Sequence, residues 1–302
     1  MKNLSIVVVS YNTKDYLEKC LRSALGQIDF KKDEIIVVDN KSQDGSPEMV
    51  RQKFPEVKLY VSKINKGFSY ACNTGFKDTQ SELVLFVNGD IIFPDGSIQK
   101  MVEKIGLDSR IGILSPVLIS PDGQISQMTW GWDISLMGEM RQKFFSPRNV
   151  ENWKFIRSIV SGIQQDEKNV PIVAGACMLI RRELLDKING FDENFELYFE
   201  DADICLRCRK AGYLVRFTPF INVLHALGES GKPTPKKISL IYRQSQIYFY
   251  RKHHTSIKLF ILKAYLFLKF LIKRNVWMDK SYRKWIINIL RERKRILLSE
   301  PL

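Results

Sequence analysis

The stretch LVLFVNGDIIF, residues 83–93, decides the fold that we predict for this chain. Its first five residues are all apolar or aromatic, and a run of this length is typical of a buried strand. The run ends abruptly in Asn88, Gly89 and Asp90. Ligands of an open parallel sheet bind beyond the carboxyl ends of its strands, so an acid at a strand end is well placed to hold one. Asn-Gly-Asp is also typical of a plain turn, and the stretch alone leaves both interpretations open.

Strands and helices alternate outward from this stretch. Apolar runs of strand length occupy residues 4–10, 34–39, 58–61 and 83–87. Apolar residues recur at helical spacing after residue 13, which predicts a helix capped by Asn12 or Thr13. Further helices are expected near residues 47–54 and after residue 67. Strands that alternate with helices favour right-handed crossovers, which predicts an α/β fold with a mainly parallel central sheet.

The positive charge is concentrated in the C-terminal segment. The formal net charge is +14, and residues 240–302 contain fifteen Lys and Arg against three acids, a net charge of +12. The first 239 residues therefore carry only +2, which is not the charge of a nucleic-acid-binding body. Hydrophobic residues at 45% and charged residues at 26% are the composition of an ordinary globular protein.

The N-terminus and the cysteines both indicate the cytosol. The apolar run of residues 6–9 is too short for the hydrophobic region of a signal peptide. Five scattered cysteines suit reduced thiols rather than a disulfide framework. Cys205 and Cys208 have zinc-like spacing without a second pair, so we expect them to pack inside a helix.

Two acids at successive strand ends, Asp39 and Asp90, indicate a nucleotide site. An acid after the second strand can bond a ribose hydroxyl or a base N–H, although a solvated turn residue is the plain alternative for Asp39. The usual glycine-rich phosphate loops are absent. A divalent cation on Asp90 would neutralise a diphosphate instead, because hard cations take oxygen ligands and share them with phosphates.

The segments IVVVSYN, IIVVDNKSQDG, NKGFSYACNTG and LFVNGDI together resemble family 2 glycosyltransferases, which bind nucleotide sugars with the GT-A fold. The resemblance implies that Asp39 binds the nucleoside. It also implies that Asn88-Gly89-Asp90 replaces the Asp-x-Asp motif of the family, with Asp90 as a ligand of Mn²⁺ or Mg²⁺. The full set of residues implied for the nucleotide sugar is Ser10, Asn12, Asp39, Asn65, Gly67, Asn73, Asn88 and Asp90.

Clear signals return after residue 170, beyond a weakly patterned region that family members use for acceptor binding. We predict one strand over residues 172–180 and a short helix over 181–188. The acids Glu200, Asp201 and Asp203 follow, at spacings that do not share one helical face. Acids in the first turn of a helix favour its positive end, which is the plain interpretation of all three.

The segment around these acids resembles the Glu-Asp motif of inverting members of the family. That resemblance implies that Asp201 is the base that takes the proton of the acceptor hydroxyl. It implies that Glu200 helps to bind the acceptor, and we expect Asp203 to cap the helix or to pair with Arg207.

His225 lies in an apolar run that leads into Gly228 and Ser230. A single histidine in such a run is often a hydrogen-bonded core residue. Related transferases have a His-x-x-Gly-x-Ser element here, and this resemblance implies that the His225 imidazole is a second metal ligand.

Residues 257–274, IKLFILKAYLFLKFLIKR, predict a strongly apolar helix that contains four lysines. On a helical projection Lys258, Lys269 and Lys273 fall within about 60° of each other, which leaves a wide apolar face opposite a basic edge. Each charge in a bilayer interior costs ~2.5 kcal/mol or more, so a helix at the interface of an anionic membrane is favoured over a spanning one. The alternatives are a helix packed on the catalytic domain with solvated lysines, or a dimer interface.

Together these features predict a GT-A domain over residues 1–235 and a basic amphipathic helical tail over residues 236–302, peripheral on the inner face of the cell membrane. The predicted reaction is inverting transfer of one sugar, from dTDP-rhamnose or a UDP-sugar, to a hydroxyl of a lipid-linked glycan. Within the family, the chain resembles rhamnosyltransferase-like enzymes of cell-surface polysaccharide assembly. No nucleic acid partner is expected, and the chain is compatible with an oligomer. A non-catalytic sugar-nucleotide-binding protein, which would need Asp39 and Asp90 but not Glu200 and Asp201, is the alternative.

Overall fold

The computed structural model describes residues 3–120, 130–131, 133–134, 166–226, 235–272 and 280–291. The strands in these residues are β1 (Leu4–Ser10), β2 (Asp33–Asp39), β3 (Lys58–Val61), β4 (Leu83–Asn88), β5 (Ile91–Ile92), β6 (Ile111–Ile119), β7 (Trp130–Gly131), β8 (Lys168–Asn169), β9 (Ile172–Val173), β10 (Cys177–Arg181) and β11 (Leu214–His225). The helices are α1 (Lys14–Leu25), α2 (Ser46–Lys53), α3 (Phe68–Lys77), α4 (Ser97–Gly106), α5 (Arg182–Ile188), α6 (Glu200–Lys210), α7 (Pro235–His253), α8 (Ser256–Ile272) and α9 (Lys280–Leu290).

A mixed sheet in the order β3-β2-β1-β4-β10-β6-β11-β5 forms the centre of the fold, and β8 pairs with β11. β1 runs parallel with both β2 and β4, β2 with β3, and β6 with β11. The prediction of an α/β fold with a mainly parallel sheet is therefore confirmed. β10 departs from it, because it runs antiparallel between β4 and β6.

Both faces of the sheet are buried, which explains why the strands are continuous apolar runs in the sequence. Alternate residues of β1 enter two separate cores: Val7 packs on the α3 side, and Ile6 and Val8 pack on the α1 side. All five cysteines are buried and reduced, as predicted. Burial raises the pKa of the Cys208 thiol to about 12, so this thiol stays protonated and serves as a packing group.

The prediction of one strand over residues 172–180 is wrong. The chain leaves β9 at Val173, turns through Ala174, Gly175 and Ala176, and enters β10 at Cys177. β9 pairs with β7 in a separate small sheet, whereas β10 joins the main sheet. The small residues between them have low strand propensity, but a continuous apolar run does not show on its own where a strand is interrupted.

An ion network around Asp203 fixes α7 to the rest of the domain. The Asp203 carboxylate is fully buried at the start of α6 and accepts a hydrogen bond of 2.7 Å from Arg207 Nε, which confirms the predicted pair. Its other oxygen lies 2.6 Å from both Lys252 Nζ and His253 Nε2 of α7. Lys252 also contacts Asp192 at 2.7 Å, so α7 is tied to α6 and to the loop before it.

Aromatic contacts extend this attachment along α7. The ring of Tyr242 lies 5.0 Å from the ring of Phe199, and the Ser245 hydroxyl donates a 2.9 Å hydrogen bond to the Leu197 carbonyl. Helix α8 packs on α7 through the fully buried Leu262 and Leu266. None of the helices, as far as they are described, combines the length and the apolar character that a membrane span requires.

We expect Gly75→Ala to lower the free energy of unfolding by about 1–3 kcal/mol, because overpacking a core is destabilising. A Cβ at Gly75 would overlap Val7 Cγ1, on the fully buried surface where α3 meets β1. Urea unfolding followed by circular dichroism measures the effect. Gly106→Ala is the matched control, since no atom of the described residues lies within 4 Å of its new Cβ. Equal unfolding midpoints for the two variants would contradict this packing.

Asp203→Asn should lower the free energy of unfolding by about 3 kcal/mol at pH 7, because it removes the buried carboxylate that pairs with Arg207 and Lys252. Burial alone would raise the pKa of Asp203, but His253, Arg207 and Lys252 together hold it below its ordinary value of 3.8. A lowered folded-state pKa contributes stability above the unfolded pKa and loses it as the pH falls through the folded pKa. The difference from the wild type should therefore narrow below about pH 4.

Urea unfolding of the wild type and of Asp203→Asn, at pH 7 and below about pH 4, measures this difference in the free energy of unfolding. The control is Asp186→Asn, which removes a largely exposed carboxylate 3.8 Å from Arg182 and should change little. A constant difference across the pH range would contradict the assignment to the charge of Asp203.

Candidate active site

The parallel pairing of three strands brings polar residues to one edge of the sheet. Ser10 at the end of β1 lies opposite Asp39 at the end of β2. On the other side of β1, Val9 lies opposite Asn88, the last residue of β4. The carboxyl ends of β1, β2 and β4 therefore meet where an α/β sheet binds its ligands.

Asp90 follows Asn88 in a tight turn that is held against the end of β1. The Gly89 N–H donates a 2.8 Å hydrogen bond to the Val9 carbonyl. A Cβ at Gly89 would lie 2.9 Å from the Thr13 hydroxyl, so only glycine lets the turn approach this closely. Asn88, Gly89 and Asp90 thus form a turn that also presents a carboxylate, and the two interpretations of this stretch agree.

The pairing of β5 with β11 brings His225 to Asp90. Ile91 lies opposite His225 in this antiparallel pair, and the Ala226 N–H donates a 3.2 Å hydrogen bond to the Asp90 carbonyl. His225 Nε2 is 3.3 Å from Asp90 Oδ1, and both side chains are buried. That oxygen has no hydrogen bond of good geometry among the described residues. The motif partners Gly228 and Ser230 lie outside the described residues.

Asp39 and its neighbour Asn40 offer two further buried acceptors. Asp39 Oδ1 accepts a 2.7 Å hydrogen bond from the Ser42 N–H, but Oδ2 has no hydrogen-bond partner in the described part of the chain. Burial raises the pKa of Asp39, against hydrogen bonds from Ser42 and Ser10 that lower it. Asn40 donates 3.1 Å to the Gly67 carbonyl, and its own Oδ1 is likewise unpartnered there. Sequence analysis missed Asn40, although it directly follows Asp39.

Asn12 holds the loop that follows Asp39. Its backbone adopts the left-handed conformation with φ of 52°, and its N–H donates to the Ser42 hydroxyl at 2.8 Å. Its side-chain oxygen accepts from the Gln43 N–H at 2.8 Å. These hydrogen bonds join the β1–α1 turn to the loop after β2. Asn12 therefore holds the position of the loop that follows Asp39.

Asn65 and Gly67 form the entry to α3. Asn65 Oδ1 accepts a 2.9 Å hydrogen bond from the Gly67 N–H. Gly67 has a φ of 89°, and a Cβ there would overlap the Glu196 carbonyl oxygen. Only glycine is therefore compatible with this conformation and contact, which joins the first half of the chain to the segment before α6.

Asn73 forms its hydrogen bonds with the loop before α6. Its amide donates to the Phe191 carbonyl and to Glu193 Oε1, both at 2.9 Å, and its oxygen accepts from the Phe191 N–H at 2.8 Å. The side chain thus holds the loop before α6, and its predicted contact with a nucleotide sugar has no support in this geometry. A cavity of about 480 Å³ adjoins this loop, and Asp39, Asp90 and Asp201 do not line it.

Glu200 and Asp201 lie in the first turn of α6, after Tyr198 and Phe199. Both preceding residues are in the left-handed conformation, with φ of 67° and 69°, and such strain clusters at functional sites. Burial, and after it the charge of Asp201, raises the pKa of Glu200. Burial also raises the pKa of Asp201, while the N–H groups of Ala202 and Gly175 lower it. Glu200 Oε2 is a further buried acceptor with no partner among the described residues.

The turn between β9 and β10 joins these acids to the ends of the parallel strands. The Asn88 N–H donates a 3.0 Å hydrogen bond to the Ala176 carbonyl. Next to it, a Cβ at Gly175 would lie 3.5 Å from Asp201 Cβ and 3.9 Å from Glu200 Oε1. The structure therefore brings Asp39, Asn88, Asp90, Glu200 and Asp201 around one edge of the sheet. Sequence analysis missed Gly175, because it placed this residue inside a strand.

The residues at this edge fit a divalent cation that shares its ligands with a substrate. The described residues contain no group of three or more His, Cys, Asp and Glu that would hold a metal by itself. Asp90 and His225 supply one carboxylate and one imidazole, and Asp90 Oδ1, which accepts no hydrogen bond from the described residues, is a hard donor. Metals that act on nucleotides commonly take one or two protein ligands and complete their coordination with phosphate oxygens and water.

Comparisons with known proteins identify the family of this chain. The family model for glycosyl transferase family 2 matches residues 5–189, and that for glycosyl transferase family group 2 matches residues 135–291. The N-acetylglucosaminyl-diphospho-decaprenol L-rhamnosyltransferase of Mycobacterium tuberculosis is 26% identical over 264 residues, which cover 83% of this chain and 85% of the relative. Rhamnosyltransferase WbbL of Escherichia coli is 24% identical over 236 residues, with 73% of this chain and 82% of the relative covered.

Solved structures share the GT-A fold. Mannosyltransferase PcManGT from Pyrobaculum calidifontis, in complex with GDP-Man and Mn²⁺, superposes with a TM-score of 0.58 at 15% identity, covering 97% of this chain and 88% of that chain. TarS of S. aureus superposes with a TM-score of 0.57 at 16% identity, covering 96% of this chain and 48% of that chain. The predicted GT-A fold is thereby confirmed. From its family matches and its rhamnosyltransferase relatives, we conclude that this chain belongs to glycosyl transferase family 2.

Proposed function

We propose that the chain is an inverting glycosyltransferase that moves one sugar from dTDP-rhamnose or a UDP-sugar to a hydroxyl of a lipid-linked glycan. The observation that carries this proposal is the group of buried oxygens of Asp39, Asp90 and Glu200 at one edge of the sheet, which accept no hydrogen bond from the residues that the structure describes. Buried polar groups are nearly always hydrogen-bonded, so this group favours a polar ligand. The acceptor named for the M. tuberculosis relative is a sugar on a polyprenyl diphosphate, which supports a lipid-linked acceptor in cell-surface polysaccharide synthesis.

The donor would bind along the ends of β1, β2 and β4. Asp39 Oδ2 would accept a hydrogen bond from a ribose hydroxyl or a base N–H, and the adjacent Asn40 Oδ1 would accept another. Ser10 lies beside Asp39 and is the third polar residue of this nucleoside-binding surface. The diphosphate would then point toward Asn88 and Asp90.

Asp90 and His225 would hold Mn²⁺ or Mg²⁺ against that diphosphate. When bound, the cation would neutralise the charge that develops on the departing diphosphate. The protein's part is to fix the two ligands, and both are buried and held by the β5–β11 pair.

Asp201 would act as the base, because hydrogen bonds from the N–H groups of Ala202 and Gly175 favour its charged form against the effect of burial, which raises its pKa. Burial, and after it the charge of Asp201, raises the pKa of Glu200, which favours the form that can donate a hydrogen bond to the acceptor. Asp201 takes the proton of the acceptor hydroxyl as that oxygen attacks the anomeric carbon and the bond to the diphosphate breaks, with inversion.

We place the enzyme in the cytoplasm, peripheral on the inner face of the cell membrane. Residues 230–278 contain no Asp or Glu, so the tail around α8 is purely basic. A basic tail is attracted to anionic headgroups and would bring the active site to a lipid-linked acceptor. A sugar-nucleotide-binding protein without activity is the alternative, and the paired acids of α6 count against it because binding of the nucleotide does not require them.

We expect the full chain to release nucleotide slowly from one of a panel of UDP, GDP and dTDP sugars, by transfer to water, when Mn²⁺ or Mg²⁺ is present. EDTA should abolish the release, and Asp90→Ala should lower it about 100-fold or more, because the diphosphate loses its cation. Chromatography of the released nucleotide is the measurement. Asp95→Ala, which changes an exposed acid in the next turn, is the control.

The outcomes separate the parts of the proposal. Full release in EDTA would exclude the metal role of Asp90 and His225. Donor binding without release, even with polyprenyl-diphosphate acceptors added, would favour the binding-protein alternative. Binding of no donor would overturn the assignment of Asp39 and Asp90.

Asp201→Asn should lower kcat by about 10²- to 10⁴-fold and leave the KM for the donor nearly unchanged, because only the proton acceptor is removed. Because burial raises the pKa of Asp201, kcat/KM of the wild type should rise with pH through a value above 3.8, the ordinary pKa of an aspartate. A pH series of initial rates measures both effects. Asp186→Asn is the control, and retained activity in Asp201→Asn would remove Asp201 from the mechanism.

A further inference from the structure

Helix α8 has one buried face and one exposed apolar face. Leu262 and Leu266 are fully buried against α7. The large apolar residues that remain exposed include Ile257 at 72%, Phe260 at 71% and Leu268 at 58%. The outer face of α8 is defined by its exposed apolar side chains, which are Ile257, Phe260, Ile261, Ala264, Tyr265, Phe267 and Leu268.

The lysines flank the outer face of α8. At 100° per residue the outer face spans an arc of about 160°, centred opposite Leu262 and Leu266. Lys258 and Lys269 lie along one edge of that arc and Lys263 along the other, and Lys273 lies outside the described residues. Packing on α7 covers part of the apolar surface of α8. A sequence projection does not show which part is covered.

This arrangement matches a bilayer interface better than another protein surface. A contiguous exposed apolar face on a folded protein marks a binding surface. Lys263 and Lys269 are half-buried, as expected for aliphatic stems that lie along an apolar surface. A second copy of the same face would bring basic edges together without a single acid in residues 230–278 to pair with them. Anionic lipid headgroups supply the complementary charge.

We propose that the outer face of α8 inserts into the acyl boundary of an anionic bilayer, with the helix in the membrane plane and its lysines at headgroup level. This inference deepens the proposed function, on which its link to a lipid-linked acceptor rests. Helix α7 contacts α8 and also Phe199, the residue before Glu200. Docking of α8 thus holds the acids of α6 at a set distance from the lipid surface.

Co-sedimentation of the full chain with vesicles tests this assignment. The vesicles contain phosphatidylcholine alone or equal parts of phosphatidylcholine and phosphatidylglycerol. The double variant Phe260→Asp, Phe267→Asp should lower partitioning into the mixed vesicles about tenfold or more, because it places charge on the inserting face. The matched control is Phe220→Asp with Leu107→Asp, two apolar residues that are 71% and 79% exposed elsewhere on the surface. The control should stay within about twofold of the wild type.

A charge reversal tests the basic edge separately. Lys258→Glu should weaken binding to the mixed vesicles about fivefold and leave binding to neutral vesicles unchanged, because only the attraction to anionic headgroups is lost. Lys31→Glu, an exposed lysine far from the tail in the sequence, is its control. If the two lysine variants lost vesicle binding equally, the net charge of the protein would explain the loss. That result would overturn the role of this edge.

The outcomes are distinct from those of the proposed activity. Vesicle binding by the double phenylalanine variant at the wild-type level would overturn the assignment. Light scattering without vesicles would also overturn it if this variant converted a dimer into a monomer, since the outer face would then be an interface between copies. Release of nucleotide from a donor in solution does not require the membrane, so a failed transferase and a failed membrane contact give different results.

Discussion

The parallel register of β1 between β2 and β4 is the constraint on which the site depends. It aligns the ends of three buried strands, so that Ser10, Asp39 and Asn88 meet at one edge. Burial of both faces of the sheet holds this register, since a shift by one residue would exchange the two cores. Gly89 then lets the next turn approach β1 closely enough to present Asp90 at the same edge.

The remaining acids reach this edge through contacts that are distant in sequence. Gly67 meets the Glu196 carbonyl, and the turn at Gly175 contacts Asp201. Leaving a buried carboxylate oxygen without a partner costs about 1–3 kcal/mol or more. The two cores of the sheet offset that cost, and the oxygens of Asp39 and Asp90 that accept no hydrogen bond from the described part of the chain remain ready for a ligand.

Helix α7 makes the tail part of the working domain. Lys252 and His253 bind the buried Asp203 two residues after the proposed base, and Tyr242 packs on Phe199 just before it. Because α8 packs on α7, α8 is connected to the start of α6 through α7. In our proposals the chemistry and the lipid contact are therefore joined by one helix.

The sequence by itself determined the strand–helix alternation and the acids at the strand ends, because buried strands are continuous apolar runs and polar residues interrupt them abruptly. It also indicated Asp203 with Arg207, since neighbours four apart share a helical face. It did not predict the antiparallel β10, the interruption at Gly175 or the role of Asn73 in holding a loop. Those depend on which distant segments pair and how closely their backbones approach. Likewise, only the tertiary structure decided which face of α8 is exposed, because packing on α7 covers one apolar surface and leaves the other.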